Sequence, residues 1–431
     1  MPVSARFAVF CVAILVLWAI GSQPAFAQLR GHGGPVRALA ISPDGKSAIS
    51  GSFDTSAIRW SLTRNIAEQV MRFHNGAVNA VAWMNDGRLA TASEDGSIAI
   101  WTQGKTEPDR IFKGHTAPVA GIAVAPDGKT IASASWDHTV RLWPLDGGEP
   151  RVLRGHTQSV NAVAFAPDGN TLASAGYDAT LRIWRLSGDS DATVVTLPSP
   201  LNSVAIAVDG EIVAAGATGK VFFVSPKGDV SGEVVASQIP VIKAAVSPDA
   251  KLVAAAGIRG SVAVIDRLQR KLLHVLVGPG LPVWSVEFFP DSRTLLTGGT
   301  DRLIRRWNAA TGDAVDATVV GAPANPLAAY GDDHGAQVFR GCVACHTLTP
   351  DEGEKAGPSL HRLFGRKIGS LPGYNYSDAL KNMDVIWTPE TVSKMFEVGP
   401  MAYTPGTKMP EQKVGAEDRK ALMEFLGKAT K

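Results

Sequence analysis

The residues of this chain best suited to chemistry are Cys342-Val343-Ala344-Cys345-His346. Two thiols three positions apart, followed at once by an imidazole, form the signature of covalent haem attachment. Each thiol can add to one porphyrin vinyl group and become a thioether, which places the imidazole beneath the iron as an axial ligand. The same residue types would also serve a redox-active dithiol or half of a Cys₄ zinc site. The only other cysteine is Cys11, inside an apolar N-terminal stretch, so no second thiol pair is present to complete the zinc site. The flanks also lack the βαβ pattern of a thioredoxin-like pair. Met409 lies far enough downstream, in a loop built around Pro405 and Gly406, to fold back onto the opposite face of a haem.

These residues sit near the end of 431, a length that accommodates about two to three domains. The formal net charge is +2 and aromatic residues are 7%, so nothing points to a nucleic-acid partner. Forty-four glycines and a charged fraction of 19% suit a turn-rich β protein. Residues 1–27 read as a signal peptide: Arg6 supplies the basic start, residues 7–20 are an unbroken apolar run, and Ala25-Phe26-Ala27 is a small-x-small cleavage site. The run is shorter than the roughly 20 residues of a membrane span. Cleavage after Ala27 is expected, leaving a soluble chain in the periplasm or otherwise exported, with no membrane association.

From Gln28 to about residue 320 one unit recurs. It opens on a Gly-His pair (Gly31-His32, Gly114-His115, Gly155-His156), of which only His74 survives in the second unit. An apolar strand follows, then a Pro-Asp-Gly turn (Pro43-Asp44-Gly45, Pro126-Asp127-Gly128, Pro167-Asp168-Gly169), a strand of small residues and an apolar strand ending in Trp. The closing positions are Trp60, Trp101, Trp143, Trp184, Val224, Ile265 and Trp307, at steps of 40 to 42, with an Asp six residues earlier in five units (Asp54, Asp95, Asp137, Asp178, Asp301). Such a period predicts one four-stranded propeller blade per unit.

These units resemble the WD40 family over roughly two thirds of the chain. The resemblance implies a buried hydrogen-bond set within each blade: His32, Ser52, Asp54 and Trp60 in the first unit, and His115, Ser135, Asp137 and Trp143 in the third. The fourth keeps His156, Asp178 and Trp184, with Gly176 at the Ser place. The Asp that usually follows the closing Trp is absent throughout, and the fifth and sixth units have lost His, Asp and Trp. Seven blades are expected, two of them degenerate, in a ring that closes. A His and Asp repeated blade after blade are read as structural, because a buried polar group must be paired.

Residues 321–330, with Pro323 and Pro326, read as a linker. Beyond them the pattern turns helical. A short helix is expected over residues 333–341. A second starts at Pro389 behind the N-cap Thr388 and is stopped by Gly399-Pro400. A third is expected over 416–428, with Leu422, Phe425 and Leu426 on one face.

Residues 331–431 resemble a class I cytochrome c of the mitochondrial type. The matching segments are Gly357-Pro358-Ser359-Leu360-His361, Leu363-Phe364-Gly365-Arg366-Lys367, residues 374–379, Trp387, and Tyr403-Thr404-Pro405-Gly406-Thr407-Lys408-Met409. The resemblance implies one covalent haem c on Cys342 and Cys345, with His346 and Met409 as axial ligands. It also implies a hydrogen bond from His346 to the Pro358 carbonyl, a haem propionate held by Arg366, Tyr376 and Trp387, and Thr407 beside Met409. Met401 is the rival ligand. Phe396 and Leu380 depart from the family's usual Tyr and Asn. The domain carries 13 Lys+Arg against 13 Asp+Glu, so it lacks the excess of lysine through which such proteins usually dock.

The expected architecture is therefore a signal peptide (1–27), an all-β seven-bladed WD40-like propeller (28–320), a linker (321–330) and an all-α cytochrome c domain (331–431). The expected function is single-electron transfer, with redox proteins as partners and the propeller as a docking platform. The competing readings are a redox enzyme whose propeller carries a second cofactor, and a haem-based sensor or assembly module.

Overall fold

The computed structural model describes residues 28–188, 191–277, 281–315, 327–350, 355–374, 376–409 and 412–431. The expected signal peptide (residues 1–27) and residues 321–326 of the expected linker lie outside these.

Seven four-stranded antiparallel sheets form the N-terminal domain. The first blade pairs Val36–Ile41, Ser47–Ser52, Ala57–Ser61 and Ile66–Met71 in sequence order. Five more blades repeat this order. The seventh contains Val283–Phe288, Thr294–Gly299 and Ile304–Asn308, and its outermost strand is Gln28–Leu29 from the start of the domain. Gln28 faces Arg305 and Leu29 faces Ile304, so the first and last strands of the propeller are joined by backbone hydrogen bonds and the ring is closed. The innermost strands neighbour one another around the full circle.

The period of about 41 residues thus straddles two sheets. Each Gly-His loop follows the outer strand of one blade and leads into the inner strand of the next.

The small-residue strands are buried on both faces because they lie between neighbouring blades. Ser47–Ser52 is buried at every position but the first. A Cβ on Gly51 would stand 2.6 Å from Val78 Cγ1 of the next blade, so the close approach requires glycine. Hydrophobic clusters bridge adjacent blades: Ile98, Ile100 and Phe112 pack with Val119, Ile131 and Trp143. A register shift recurs between the inner and second strands of every blade, between Val36 and Ala38 in the first and between Val241 and Lys243 in the sixth.

The buried hydrogen-bond set exists, but its hydroxyl lies two residues earlier than the sequence reading placed it. In the first blade Trp60 Nε1 donates to Ser50 Oγ at 2.7 Å, Ser50 Oγ meets His32 Nε2 at 2.7 Å, and His32 Nδ1 meets Asp54 Oδ2 at 3.0 Å. Thr91, Ser133 and Ser174 take the same place beneath Trp101, Trp143 and Trp184. The fourth set is therefore complete, and Gly176 is not its hydroxyl position. Ser50 and Ser52 share one face of the strand, as residues i and i+2 must, so the pattern alone did not separate them. Ser52 instead accepts the Asp54 N–H at 3.1 Å.

In the degenerate blades an ion-pair network stands in for the lost sets. Arg267, its side chain only 3% exposed, reaches from the sixth blade to Glu211 of the fifth at 2.7 Å and also pairs with Asp209. Arg270 joins Glu211 at 3.0 Å and lies 3.9 Å over the Phe223 ring.

The C-terminal domain is helical: α1 (His334–Phe339), α2 (Asp378–Lys381), α3 (Pro389–Val398), α4 (Pro400–Tyr403) and α5 (Ala416–Ala429). The expected N-cap at Thr388 is realised, and Asp333, expected inside the first helix, caps it instead. Asp333 accepts from the Ala336 N–H, and Thr388 from the Thr391 N–H ahead of Pro389. The chain resumes one further turn, α4, directly after Gly399, because Pro400 suits a first helical position. Phe339, Leu422, Phe425 and Leu426 are buried between α1, α3 and α5.

Candidate haem-binding site

The chain leaves α1 and makes a tight turn through Cys342–Ala344. The Cys345 and His346 amides both bond to the Cys342 carbonyl, at 3.1 and 2.9 Å. This winding brings the two thiols and the imidazole together in one turn. Lys355 fastens it, its Nζ donating to the carbonyls of Val343 at 2.8 Å and His346 at 3.2 Å. The sequence reading assigned Lys355 no role, and a lysine outside any motif offered no signal for one.

Cys342 and Cys345 are not joined in a disulfide, so both sulfurs are available to bond a haem. Burial pushes Cys342 up to about 11 and Cys345 to about 12, so both stay protonated at neutral pH. Burial lowers the His346 pKa, which keeps the imidazole neutral. Its Nδ1 lies 2.7 Å from the Pro358 carbonyl oxygen. A carbonyl can only accept, so Nδ1 carries the proton and Nε2 keeps its lone pair, the form a metal ligand requires. The loop around Pro358 presses close: a Cβ on Gly357 would stand 2.5 Å from His346 Cε1.

The other sequence-derived residues are placed as follows. Cys342, Leu360, Phe364, Trp387 and Met409 all pack against the domain's hydrophobic cluster. Met401, by contrast, is 64% exposed on α4. Thr407 Oγ1 accepts the Met409 N–H at 3.1 Å, which puts the two side by side. Arg366 and Trp387 are joined through the backbone, the Trp387 N–H donating to the Arg366 carbonyl at 2.9 Å. The Arg366 guanidinium donates to the carbonyls of Ser359 at 2.7 Å and His361 at 3.2 Å. Burial raises the Tyr376 pKa and nearby Arg366 pulls it down. The Tyr376 ring packs on Tyr374 at 4.5 Å between centroids. His334 is exposed and pairs with Asp418 at 2.8 Å, and His361 contributes its backbone carbonyl to Arg366.

Two unoxidised thiols one turn apart, a neutral imidazole with its lone pair available, and a thioether on the domain's apolar core form a donor set that fits a covalently held haem.

A closed propeller with repeated His–Ser/Thr–Trp sets, joined to a helical domain that presents a C-x-x-C-H turn, defines a WD40 protein fused to a c-type cytochrome. Comparison with known families agrees for both parts. The WD domain, G-beta repeat, family matches residues 24–61, 67–102, 106–144, 147–185 and 270–308, and the cytochrome c family matches residues 333–430. The stretch between the fourth and fifth WD segments holds the closing positions Val224 and Ile265, where the repeat signature has decayed. The C-terminal domain is 46% identical over 99 residues to a cytochrome c of Cochliobolus lunatus, 22% of this chain and 91% of that protein. It is 46% identical to a cytochrome c of Arabidopsis thaliana over 88% of that protein, and 44% identical to cytochrome c2 of Blastochloris viridis over 71%. Through this domain the chain belongs to the cytochrome c family, and it carries the single covalently bound haem c that membership implies.

Proposed function

We propose that this protein is an exported electron carrier that passes single electrons through a haem ligated by His346 and Met409, with the propeller as the platform on which protein partners dock. The observation that carries the reading is the His346 imidazole, held neutral with Nδ1 committed to Pro358 and Nε2 free. Cys342 and Cys345 would attach the haem. Arg366, Tyr376 and Trp387 would hold a propionate, and Thr407 would orient Met409. Among the two methionines, the core-packed position of Met409 and the exposure of Met401 favour Met409.

A haem iron with imidazole and thioether ligands exchanges one electron, and the soft sulfur favours its reduced state. Were His346 and Met409 both to ligate the iron, no place would be left for a substrate, which would separate a carrier from an enzyme or a ligand sensor.

Export rests on the character of residues 1–27 and on covalent haem attachment. No helix among the described residues is long and apolar enough to cross a membrane. Potentiometric titration of the purified holoprotein, followed in the visible spectrum, tests the reading. One low-spin haem c that titrates as a single one-electron couple is expected. A high-spin spectrum, or bands from a further cofactor, would contradict it.

A further inference from the structure

The propeller and the cytochrome domain touch through residues that flank the candidate haem site. Arg72, between the first and second blades, donates from Nε to the Ala356 carbonyl at 2.9 Å and from Nη2 to the Lys355 carbonyl. Its guanidinium also lies 4.1 Å over the Tyr374 ring, whose hydroxyl donates to the same Ala356 carbonyl at 2.9 Å. The Ala356 N–H donates back to the Gly31 carbonyl at 3.1 Å. Lys408, the residue before Met409, donates to the His74 carbonyl. Gly33 lies so near Cys345 Sγ that a Cβ there would run into the sulfur.

The propeller residues that make these bonds and close approaches belong to two Gly-His-type loops, residues 31–33 and 72–74. The buried sets hold those loops in shape. Asp54 Oδ2 accepts the Gly33 N–H at 2.7 Å as well as bonding His32, and Asp95 Oδ2 accepts the Asn75 N–H at 2.9 Å as well as bonding His74. The repeated polar residues therefore have a consequence beyond blade stability, since they rigidify the surface that receives the cytochrome. The contact is directional, because four carbonyls, those of Lys355, Ala356, His74 and Gly31, accept from the fork-shaped Arg72 cation, the Lys408 ammonium and the Ala356 N–H.

We propose that the loops of the first two blades are an intramolecular docking surface for this chain's own cytochrome domain, and that in the docked state they cap the side on which Cys345 and the Met409 loop lie. External redox partners then reach the haem fully only when the two domains part. The inference rests on the carrier function proposed above.

The test uses the full-length holoprotein and two propeller variants, G33V and Arg72→Ala. Gly33 has no positive φ to preserve, and its nearest neighbour within the propeller would be Asp54 Cβ at 3.9 Å, so G33V is a wedge aimed at the cytochrome alone. R72A removes the guanidinium without adding bulk. Hydrogen exchange at the Ala356 amide reads docking, and stopped-flow oxidation of the ferrous protein by ferricyanide reads access. In both variants Ala356 exchange and the bimolecular rate should each rise about tenfold, in Arg72→Ala through loss of a charge-assisted anchor and in G33V through the clash with Cys345, with the absorption spectrum unchanged. Faster exchange with an unchanged oxidation rate would overturn the cap. Wild-type exchange at Ala356 as fast as in an unstructured peptide would overturn the docking itself. A wild-type spectrum without low-spin haem c would instead contradict the carrier reading, so the two failures are distinguishable.

Discussion

The imidazole of His346 donates from Nδ1 to the carbonyl oxygen of Pro358 at 2.7 Å. This bond helps to join the attachment turn to the 357–361 loop. It sets the tautomer, fixes the ring plane and leaves the other nitrogen for iron. Loss of a bond that orients a metal-ligating imidazole typically costs about 10–100-fold in metal affinity.

Attachment should therefore fail locally. Cys342→Ala or Cys345→Ala should leave haem singly attached or lost, while the propeller keeps its β signal in circular dichroism, because the hydrophobic clusters of the blades do not include the haem-site residues. Loss of the β signal together with the haem would show instead that the two domains fold as one unit.

In the fourth blade, Ser174 bonds both Trp184 Nε1 at 2.9 Å and His156 Nε2 at 2.8 Å. Ser174→Ala leaves two buried polar groups without their partner and should lower unfolding stability by about 1–3 kcal/mol in denaturant titration. Trp184→Ala should cost about 3–5 kcal/mol by opening a cavity. The haem spectrum should be unchanged in both.

Arg267 is the counterpart in the degenerate blades. Arg267→Ala should cost about 1.5–3 kcal/mol, the range for hydrogen bonds to charged groups. It should also accelerate hydrogen exchange in the strands Lys220–Val224 and Ser261–Asp266 before other blades respond. A uniform response around the ring would show that the network is not a local staple.

Acid should loosen the first blade in a defined window. Burial alone would raise the Asp54 carboxyl, but His32 and the Ser56 hydrogen bonds outweigh it and hold the group near 2, against an ordinary 3.8. A depressed carboxylate stabilises the fold above its unfolded pKa, and the contribution is lost as pH falls through the folded value. A shift of this size is worth about 2 kcal/mol. The stability difference between wild type and Asp54→Asn should thus shrink as pH falls from 3.8 toward 2. A difference independent of pH would mean that Asp54 acts by shape and not by charge.

The propeller was legible because each blade repeats its side chains at fixed steps, so even the blades closed by Val224 and Ile265 were recognisable from spacing. Two features were not legible. The strand Gln28–Leu29 is too short to carry a period, yet it closes the ring. Ser50 and Ser52 lie on one face of the same strand, and only the reach of His32 and Trp60 selects Ser50. In the cytochrome domain the cap at Thr388 was readable from local chemistry. Lys355, Arg72 and the Gly31 carbonyl were not, because their roles arise from tertiary contacts, two of them across 283 and 284 residues of chain.

The most direct measurement is the spectrum of the ferric holoprotein with Met409 removed. Met409→Ala should abolish the weak sulfur-to-iron charge-transfer band at the red end of the visible range, lower the potential as the soft ligand is lost, and open the ferrous iron to carbon monoxide. Met401→Ala should do none of these. Retention of the band in Met409→Ala together with its loss in Met401→Ala would contradict the assignment of the axial pair.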